Sequence, residues 1–292
     1  MRRTWKTVAV ATAALMMVMT GGPAQAAISD KRNDFNRDGI SDFVAENASG
    51  YIYLYAGNGS GDVVSGKRLL IEYGSGYHGM TATPGDLNRD GVGDLVAIDS
   101  SNNCLTRWYG TGNSDFGGPS TVGCGWNLYA DVAGAGDLNN DGNGDLLTYR
   151  LSDGCLLRYN GNGNGGFNSP GTVGCSGWTA YRHNLTGAGD LNRDGNGDVV
   201  AINDDPFSAG YKCLYRWYGD GSGGLYGAKQ LGCGWGDYQI AGMGDFTGDG
   251  VGDLLAINYS NGSLYRFSGD GNGGFKTGVA IGSGFQNLTP AQ

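Results

Sequence analysis

Short apolar runs recur along the chain, separated by stretches rich in Asp, Asn and Gly. Phe43-Val44-Ala45, Leu95-Val96-Ala97-Ile98, Leu146-Leu147-Thr148-Tyr149, Val199-Val200-Ala201-Ile202 and Leu254-Leu255-Ala256-Ile257 are strand-length and too short for helices. A turn follows each, and then a second apolar and aromatic run such as Cys104 to Tyr109 or Cys213 to Tyr218. Next comes a Gly-rich loop such as Asn162 to Phe167, then a third run that ends in Gly-Cys-Gly-Trp. A fourth run, such as Tyr129 to Gly136, closes the unit. Four short strands in a unit of about 50 residues is the period of a propeller blade.

The phase of the repeat is set by a nine-residue string that occurs five times. It reads Asp34-Phe-Asn-Arg-Asp-Gly-Ile-Ser-Asp42 and reopens at Asp86, Asp137, Asp190 and Asp245, with spacings of 52, 51, 53 and 55 residues. The ends of the chain point to a closed ring. The first string comes too early for its blade to have a leading strand. At the other end Asn287-Leu-Thr-Pro-Ala-Gln292 matches Asn184-Leu-Thr-Gly-Ala-Gly189 and stops where another Asp would stand. The predicted fold is therefore all-β, a five-bladed propeller of four-stranded blades in which the C-terminal strand completes the first blade and leaves no open sheet edge.

The string also carries chemistry. Positions 1, 3 and 5 supply hard side-chain oxygens, position 6 is a Gly for the sharp bend, position 7 offers its carbonyl and position 9 is again Asp. The candidate ligands are Asp34, Asn36, Asp38, Ile40 and Asp42; Asp86, Asn88, Asp90, Val92 and Asp94; Asp137, Asn139, Asp141, Asn143 and Asp145; Asp190, Asn192, Asp194, Asn196 and Asp198; and Asp245, Thr247, Asp249, Val251 and Asp253. Oxygen donors of this kind suit calcium, so about five structural Ca2+ sites are expected, the fifth weakened by the neutral Thr247. An EF-hand would need Glu at position 12, where Ala45, Ala97, Thr148, Ala201 and Ala256 stand, so the loop joins strands.

Composition refines the picture. The 292 residues include 58 Gly without the every-third spacing of collagen, and a hydrophobic share of 39% is enough for a packed core. The formal charge of -9 argues against a nucleic-acid partner, which needs a basic footprint. Residues 1–26 read as a secretory signal peptide, with basic Arg2, Arg3 and Lys6, an apolar stretch from Val8 to Met19 and the cleavage site Ala24-Gln25-Ala26. The mature propeller, 27–292, is expected outside the cell. The apolar stretch falls short of the roughly 20 residues that span a bilayer, and no span is expected in the mature chain.

The Asp strings, preceded by Ala133-Gly-Ala-Gly-Asp137 or Thr186-Gly-Ala-Gly-Asp190 and followed by Gly-Gly-Phe loops, resemble FG-GAP/VCBS repeats of the integrin alpha-chain type. The resemblance implies a β-propeller with calcium in the loop between the first two strands of each blade. The familiar members have seven blades, and this chain has five Asp strings. A second similarity is to tachylectin-type propeller lectins, in the dipeptides Leu214-Tyr215, Leu264-Tyr265, Gly125-Trp126, Gly177-Trp178 and Gly234-Trp235.

Six Cys permit fifteen pairings, and comparison between repeats narrows them. Cys104 and Cys124, Cys155 and Cys175, and Cys213 and Cys233 are each 20 positions apart within one repeat. The other two repeats have Tyr51 with Ser75 and Ser263 with Ser283 at the equivalent places, so the cysteines come and go in pairs. Three disulfides, each within a blade, are expected.

Signals for catalysis are sparse. The only His residues, His78 and His183, fall at non-equivalent places, and no Gly-x-Ser-x-Gly elbow accompanies them. A glycosidase needs two carboxylates across a cleft, and the sequence pairs none of the acids outside the loops, the only two Glu (Glu46 and Glu72) included. Repeated aromatics point instead to sugar stacking. The candidates are Trp108, Tyr109, Trp126, Trp178, Trp217, Tyr218 and Trp235, with Arg107, Arg158, Arg216 and Arg266 for hydroxyl contacts. The function expected is a non-enzymatic binding module for a glycan on a cell surface or wall polymer. Recognition of another secreted protein is the alternative, and a carbohydrate-active hydrolase the third reading. The insertion Asp204 to Gly210 is the candidate for a unique contact.

Overall fold

A computed structural model describes residues 32–64, 66–72, 81–181 and 184–292. Residues 1–26, read above as a signal peptide, and Ser75, His78 and His183 lie outside them. The strands form five four-stranded antiparallel sheets arranged as blades. Blade 1 holds β1 (Phe43–Asn47), β2 (Tyr51–Tyr55) and β3 (Lys67–Glu72); blade 2 holds β4 (Thr81–Gly85), β5 (Asp94–Asp99), β6 (Cys104–Trp108) and β7 (Ser120–Cys124). Blade 3 runs β8 (Tyr129–Gly136), β9 (Asp145–Arg150), β10 (Leu156–Tyr159), β11 (Gly171–Gly174), and blade 4 runs β12 (Leu185–Gly189), β13 (Asp198–Ile202), β14 (Cys213–Gly219), β15 (Leu225–Cys233). Blade 5 has β16 (Tyr238–Gly244), β17 (Asp253–Asn258), β18 (Ser263–Phe267) and β19 (Val279–Ser283).

The last strand, β20 (Leu288–Pro290), pairs with β1 through Ala45 and Pro290, which makes it the missing inner strand of blade 1. The chain continues as a clasp: the Gln292 carbonyl accepts the Thr83 and Gly134 amides at 3.0 and 2.8 Å, and its own amide donates to Thr81 at 3.0 Å. Ring closure by the C-terminal strand is thus as the sequence predicts.

Each strand's residue pattern follows from its place in the blade. The second strands β5, β13 and β17 are buried at every position, which is why they read as unbroken apolar runs rather than alternating ones. The outer strands β7, β11, β15 and β19 are partly or fully exposed at every position. Inner strands β4, β8, β12 and β16 crowd the ring axis and contact one another in sequence. A Cβ at Gly242 would lie 1.6 Å from the Gly187 carbonyl oxygen, and one at Gly134 2.1 Å from that of Thr83, so these strands need Gly.

Packing between blades is repetitive. After the outer strands β7, β11, β15 and β19 the chain turns inward and lays one aromatic against the third strand of the next blade. Trp126 meets Tyr159 at 5.0 Å between ring centroids, Trp178 meets Trp217 at 4.7 Å, Trp235 meets Phe267 at 4.7 Å and Phe285 meets Tyr55 at 5.1 Å. The three disulfides tie the third strand to the fourth in blades 2, 3 and 4, Cys104–Cys124, Cys155–Cys175 and Cys213–Cys233, each within a single blade as expected. Among the described residues no helix is long and apolar enough to cross a membrane.

Candidate functional site

The Asp strings form the loops between the first and second strands of blades 2 to 5, and in blade 1 the segment that leads into its second strand. Position 9 ends the loop and starts the second strand, so its side chain points into the blade. Asp42, Asp94, Asp145, Asp198 and Asp253 are fully buried. Each carboxylate takes two backbone N–H groups: one from the start of its own loop and one from the Gly that opens the loop between the third and fourth strands. In blade 2, Leu87 donates to Asp94 Oδ2 at 2.8 Å and Gly110 to Oδ1 at 2.9 Å. Gly57, Gly161, Gly219 and Gly269 repeat the second bond at 2.9–3.0 Å. The position-9 Asp therefore staples two loops together, a role absent from the sequence reading of it as a ligand alone. Burial pushes Asp42, Asp94, Asp145 and Asp198 up to about 7 and Asp253 to about 6; the donated N–H groups oppose this, and neighbouring loop carboxylates add to it.

Positions 1, 3 and 5 sit at the outer end of the loop. Asp86 Oδ1 accepts the amides of Asn88, Arg89 and Asp90, and its Oδ2 that of Gly91, while Asn88 and Asp90 touch at 3.1 Å. Asp190 repeats the set with Asn192, Arg193, Asp194 and Gly195. These bonds hold position 4 in a left-handed conformation: φ is 63° at Arg37, 64° at Arg89, 57° at Asn140 and 65° at Arg193, and the fifth loop has Gly248 there. Among the described residues no three His, Cys, Asp or Glu side chains gather closely enough to hold a metal ion unaided. The donor chemistry nevertheless fits a hard divalent cation, since two carboxylates and a carboxamide meet around one turn and no nitrogen or sulfur ligand competes.

The aromatic candidates separate by burial. Trp108, Trp126, Trp178 and Trp217 are buried in the blade interfaces, which corrects the expectation that they stack sugars: their faces are spent on neighbouring side chains. Tyr109 and Tyr218 are partly covered and lie under Arg107 and Arg216, 4.4 and 3.3 Å from the guanidinium carbons. Trp235 is the exception among the connecting tryptophans, being only partly buried. Beside it a groove of about 510 Å³ opens between blades 4 and 5, lined by Trp235, Phe267 and Phe275 with Lys229, Gln230 and Lys276. The signal for its openness is in β15, which at nine residues is the longest strand and carries an exposed run through Lys229 and Gln230.

The arginines have a role the sequence left undecided. Arg107, Arg158 and Arg266 each reach across an interface to the next blade's loop, to the carbonyls of Gly165, Ser222 (2.9 Å) and Ser60 (2.9 Å). Leu54 takes the equivalent ladder place in blade 1 and packs with Phe35 and Phe116 instead.

Of the carboxylates outside the loops, Asp99 binds Ser101 and Asn102, and Asp153 pairs with Arg150 at 2.5 Å. Glu46 is buried and accepts the Thr81 hydroxyl at 2.7 Å. Asp131 lies at a bulge of β8, and its carboxyl is pushed up to about 7, by desolvation first and by the charge of Glu46 second. The insertion carries Phe207 at its tip, 96% exposed, and is anchored by Lys212 to Asp204 at 2.8 Å.

A family model described as an FG-GAP-like repeat matches residues 34–97 and 190–256. No curated protein sequence matches the chain. Among solved structures, an Agrocybe aegerita lectin described as recognising non-reducing terminal N-acetylglucosamine is similar at 21% identity and TM-score 0.49, over 89% of this chain and 69% of that one. The BP39L lectin from Burkholderia pseudomallei is similar at 16% identity and TM-score 0.49, over 84% and 70%. The Photorhabdus luminescens Tc holotoxin pore matches at 20% identity and TM-score 0.44, over 76% of this chain and 10% of that one.

Proposed function

We propose, from five blades closed into a ring and an FG-GAP-like repeat model that matches two stretches of the chain, that this is an exported, calcium-stabilised carbohydrate-binding module whose site is the groove between blades 4 and 5. One observation carries the reading. Four blade interfaces share the same aromatic contact, and only the one at Trp235 leaves its aromatic partly uncovered beside a groove of about 510 Å³, within the size range of small-ligand sites. Trp235, Phe267 and Phe275 offer apolar faces for a sugar ring, and Gln230 offers a carboxamide for its hydroxyls. No carboxylate or imidazole lines the groove, so it holds and orients a ligand without supplying a general acid or base.

Calcium is assigned to the Asp loops, where Asp at position 1, Asn at 3 and Asp at 5 would hold it; when bound it supplies charge neutralisation, not reactivity. Three disulfides in one chain suit an oxidising compartment outside the cytoplasm.

The test is a glycan panel on the oxidised protein with calcium present, repeated with Trp235→Ala and with Trp126→Ala. Saturable binding lost in the first variant, while its melting temperature stays native, supports the reading. Absence of binding by the folded protein to every glycan refutes it. Chelation should lower the melting temperature and calcium restore it; an unchanged temperature removes the metal from the proposal. Phe207, at the exposed tip of the blade 4 insertion, favours one second reading, a protein partner docking on that loop, which pull-down with and without Phe207→Ser would reveal.

A further inference from the structure

The charge of the groove runs against that of the chain. With 28 acidic and 19 basic residues in the sequence, a surface pocket lined by two lysines and no carboxylate stands out. Lys229 projects from β15 and Lys276 from the loop of blade 5 that forms the opposite wall. Lys276 is tethered only by an exposed 3.4 Å contact to Asp249, a kind of pair that holds weakly.

A third cation adjoins them. Arg216 lies directly across the β14–β15 ladder from Lys229 and two residues along from Leu214, which lines the groove, so all three share one face of the sheet. Arg216 departs from the other interface arginines. Where Arg107, Arg158 and Arg266 reach a loop carbonyl of the next blade, here the Tyr218 hydroxyl takes the Asn272 carbonyl at 3.4 Å and the guanidinium lies over the Tyr218 ring. The residue is 6% exposed, and among the described residues its Nε and Nη1 find no acceptor. A buried guanidinium with free donors, just behind a groove wall that carries two lysines, is a binding arrangement for a planar anion.

We propose that the groove takes an acidic saccharide, its carboxylate or sulfate held by Lys229, Lys276 and Arg216 while a sugar ring stacks on Trp235. This rests on the carbohydrate reading above and names its ligand class. The two anionic groups share the same chemistry and differ in shape, the carboxylate matching the guanidinium fork and the sulfate engaging the lysines equally well.

The experiment is calorimetric titration of the folded, oxidised protein with tetragalacturonate, its methyl ester and a sulfated galactose tetramer, in 50 mM and 500 mM salt. At low salt at least one acid should bind at least tenfold more tightly than the neutral ester, and the gap should narrow at high salt. Preference for tetragalacturonate assigns the ligand to uronic acids, and preference for the sulfated tetramer to sulfated sugars. Lys229→Gln, at an exposed position that does not endanger folding, and Arg216→Gln should each weaken acid binding more than ester binding and so narrow the gap between them. Equal affinity for acid and ester in the unsubstituted protein overturns the acidic-ligand inference and leaves the carbohydrate reading standing. If neither these sugars nor the wider glycan panel binds, the carbohydrate reading itself has failed.

Discussion

The staple between Asp94 and Gly110 provides the sharpest test of how the blades are held. Gly110 donates its N–H to a fully buried carboxylate at 2.9 Å, and a Cβ placed on it would sit 2.2 Å from the Gly93 carbonyl oxygen and 2.5 Å from Val92 Cγ1. Neither neighbour can turn away, because one is backbone and the other is buried. In Gly110→Ala the loop must shift by about 1 Å, and the bond to Asp94 is lost with it. Overpacking costs about 1–3 kcal/mol and a hydrogen bond to a charged acceptor about 1.5–3 kcal/mol, so the variant should lose roughly 3–5 kcal/mol. That corresponds to a fall in melting temperature of roughly 6–20 °C for a domain of this class. Urea titration with a check on the slope gives the free energy. The control is Gly123→Ala, whose added Cβ meets nothing within 4 Å and should change stability by less than about 0.5 kcal/mol. Because both partners act through one bond, combining Gly110→Ala with Asp94→Asn should cost less than the sum of the two. A loss below about 1 kcal/mol in Gly110→Ala, or strict additivity with Asp94→Asn, would refute the staple.

Three further outcomes follow from the interfaces and the ring axis. Arg158→Ala removes the bond to the Ser222 carbonyl and should cost about 1–2 kcal/mol, read as a lower urea midpoint with an unchanged slope. Cys104→Ser with Cys124→Ser opens a loop of 20 residues and should destabilise by about 3 kcal/mol, whereas equal melting of variant and parent would show the bridge to be idle. Asp131 has a folded pKa of about 7 against an unfolded value near 3.9, so the folded state binds the extra proton and this group lowers stability as pH rises from about 4 to 7. Since Asp131 is partly exposed, the penalty is screened to about 1–2 kcal/mol; Asp131→Asn should gain that much at pH 8 and almost nothing at pH 4, and a gain equal at both would contradict the assignment.

The blade count, the strand phase and the disulfide pairing were legible because each repeats at a fixed sequence interval: Asp to Asp, Cys to Cys. The fates of individual side chains were less so. Trp126 and Trp235 stand in the same Gly-Cys-Gly-Trp string, yet one is buried and the other opens on a groove. The difference arises from the neighbouring blade and from the length of β15, which no local pattern around the tryptophan encodes. The arginines were similar. Arg107 reaches a carbonyl 58 residues away and Arg266 one more than 200 residues away, a pairing set by ring geometry. The position-9 Asp was visible as a carboxylate but not as a staple, since its second donor belongs to another loop.

The clasp at Gln292 also sets an order of events. Blades 2 to 5 pair strands that follow one another along the chain, so each can form from neighbouring hairpins. Blade 1 waits for a partner from far along the chain: Ala45 meets Pro290. Contacts so distant in sequence are slow to find, and the ring therefore locks only when the segment around Pro290 arrives. Until then blade 1 offers an unpaired β1 edge to any passing strand. A circular permutant that joins the two ends and reopens the chain in the exposed loop near Asn113 would make that pairing local. It should fold faster and aggregate less while keeping the same architecture, which would turn the clasp from an inference about shape into a measured clock.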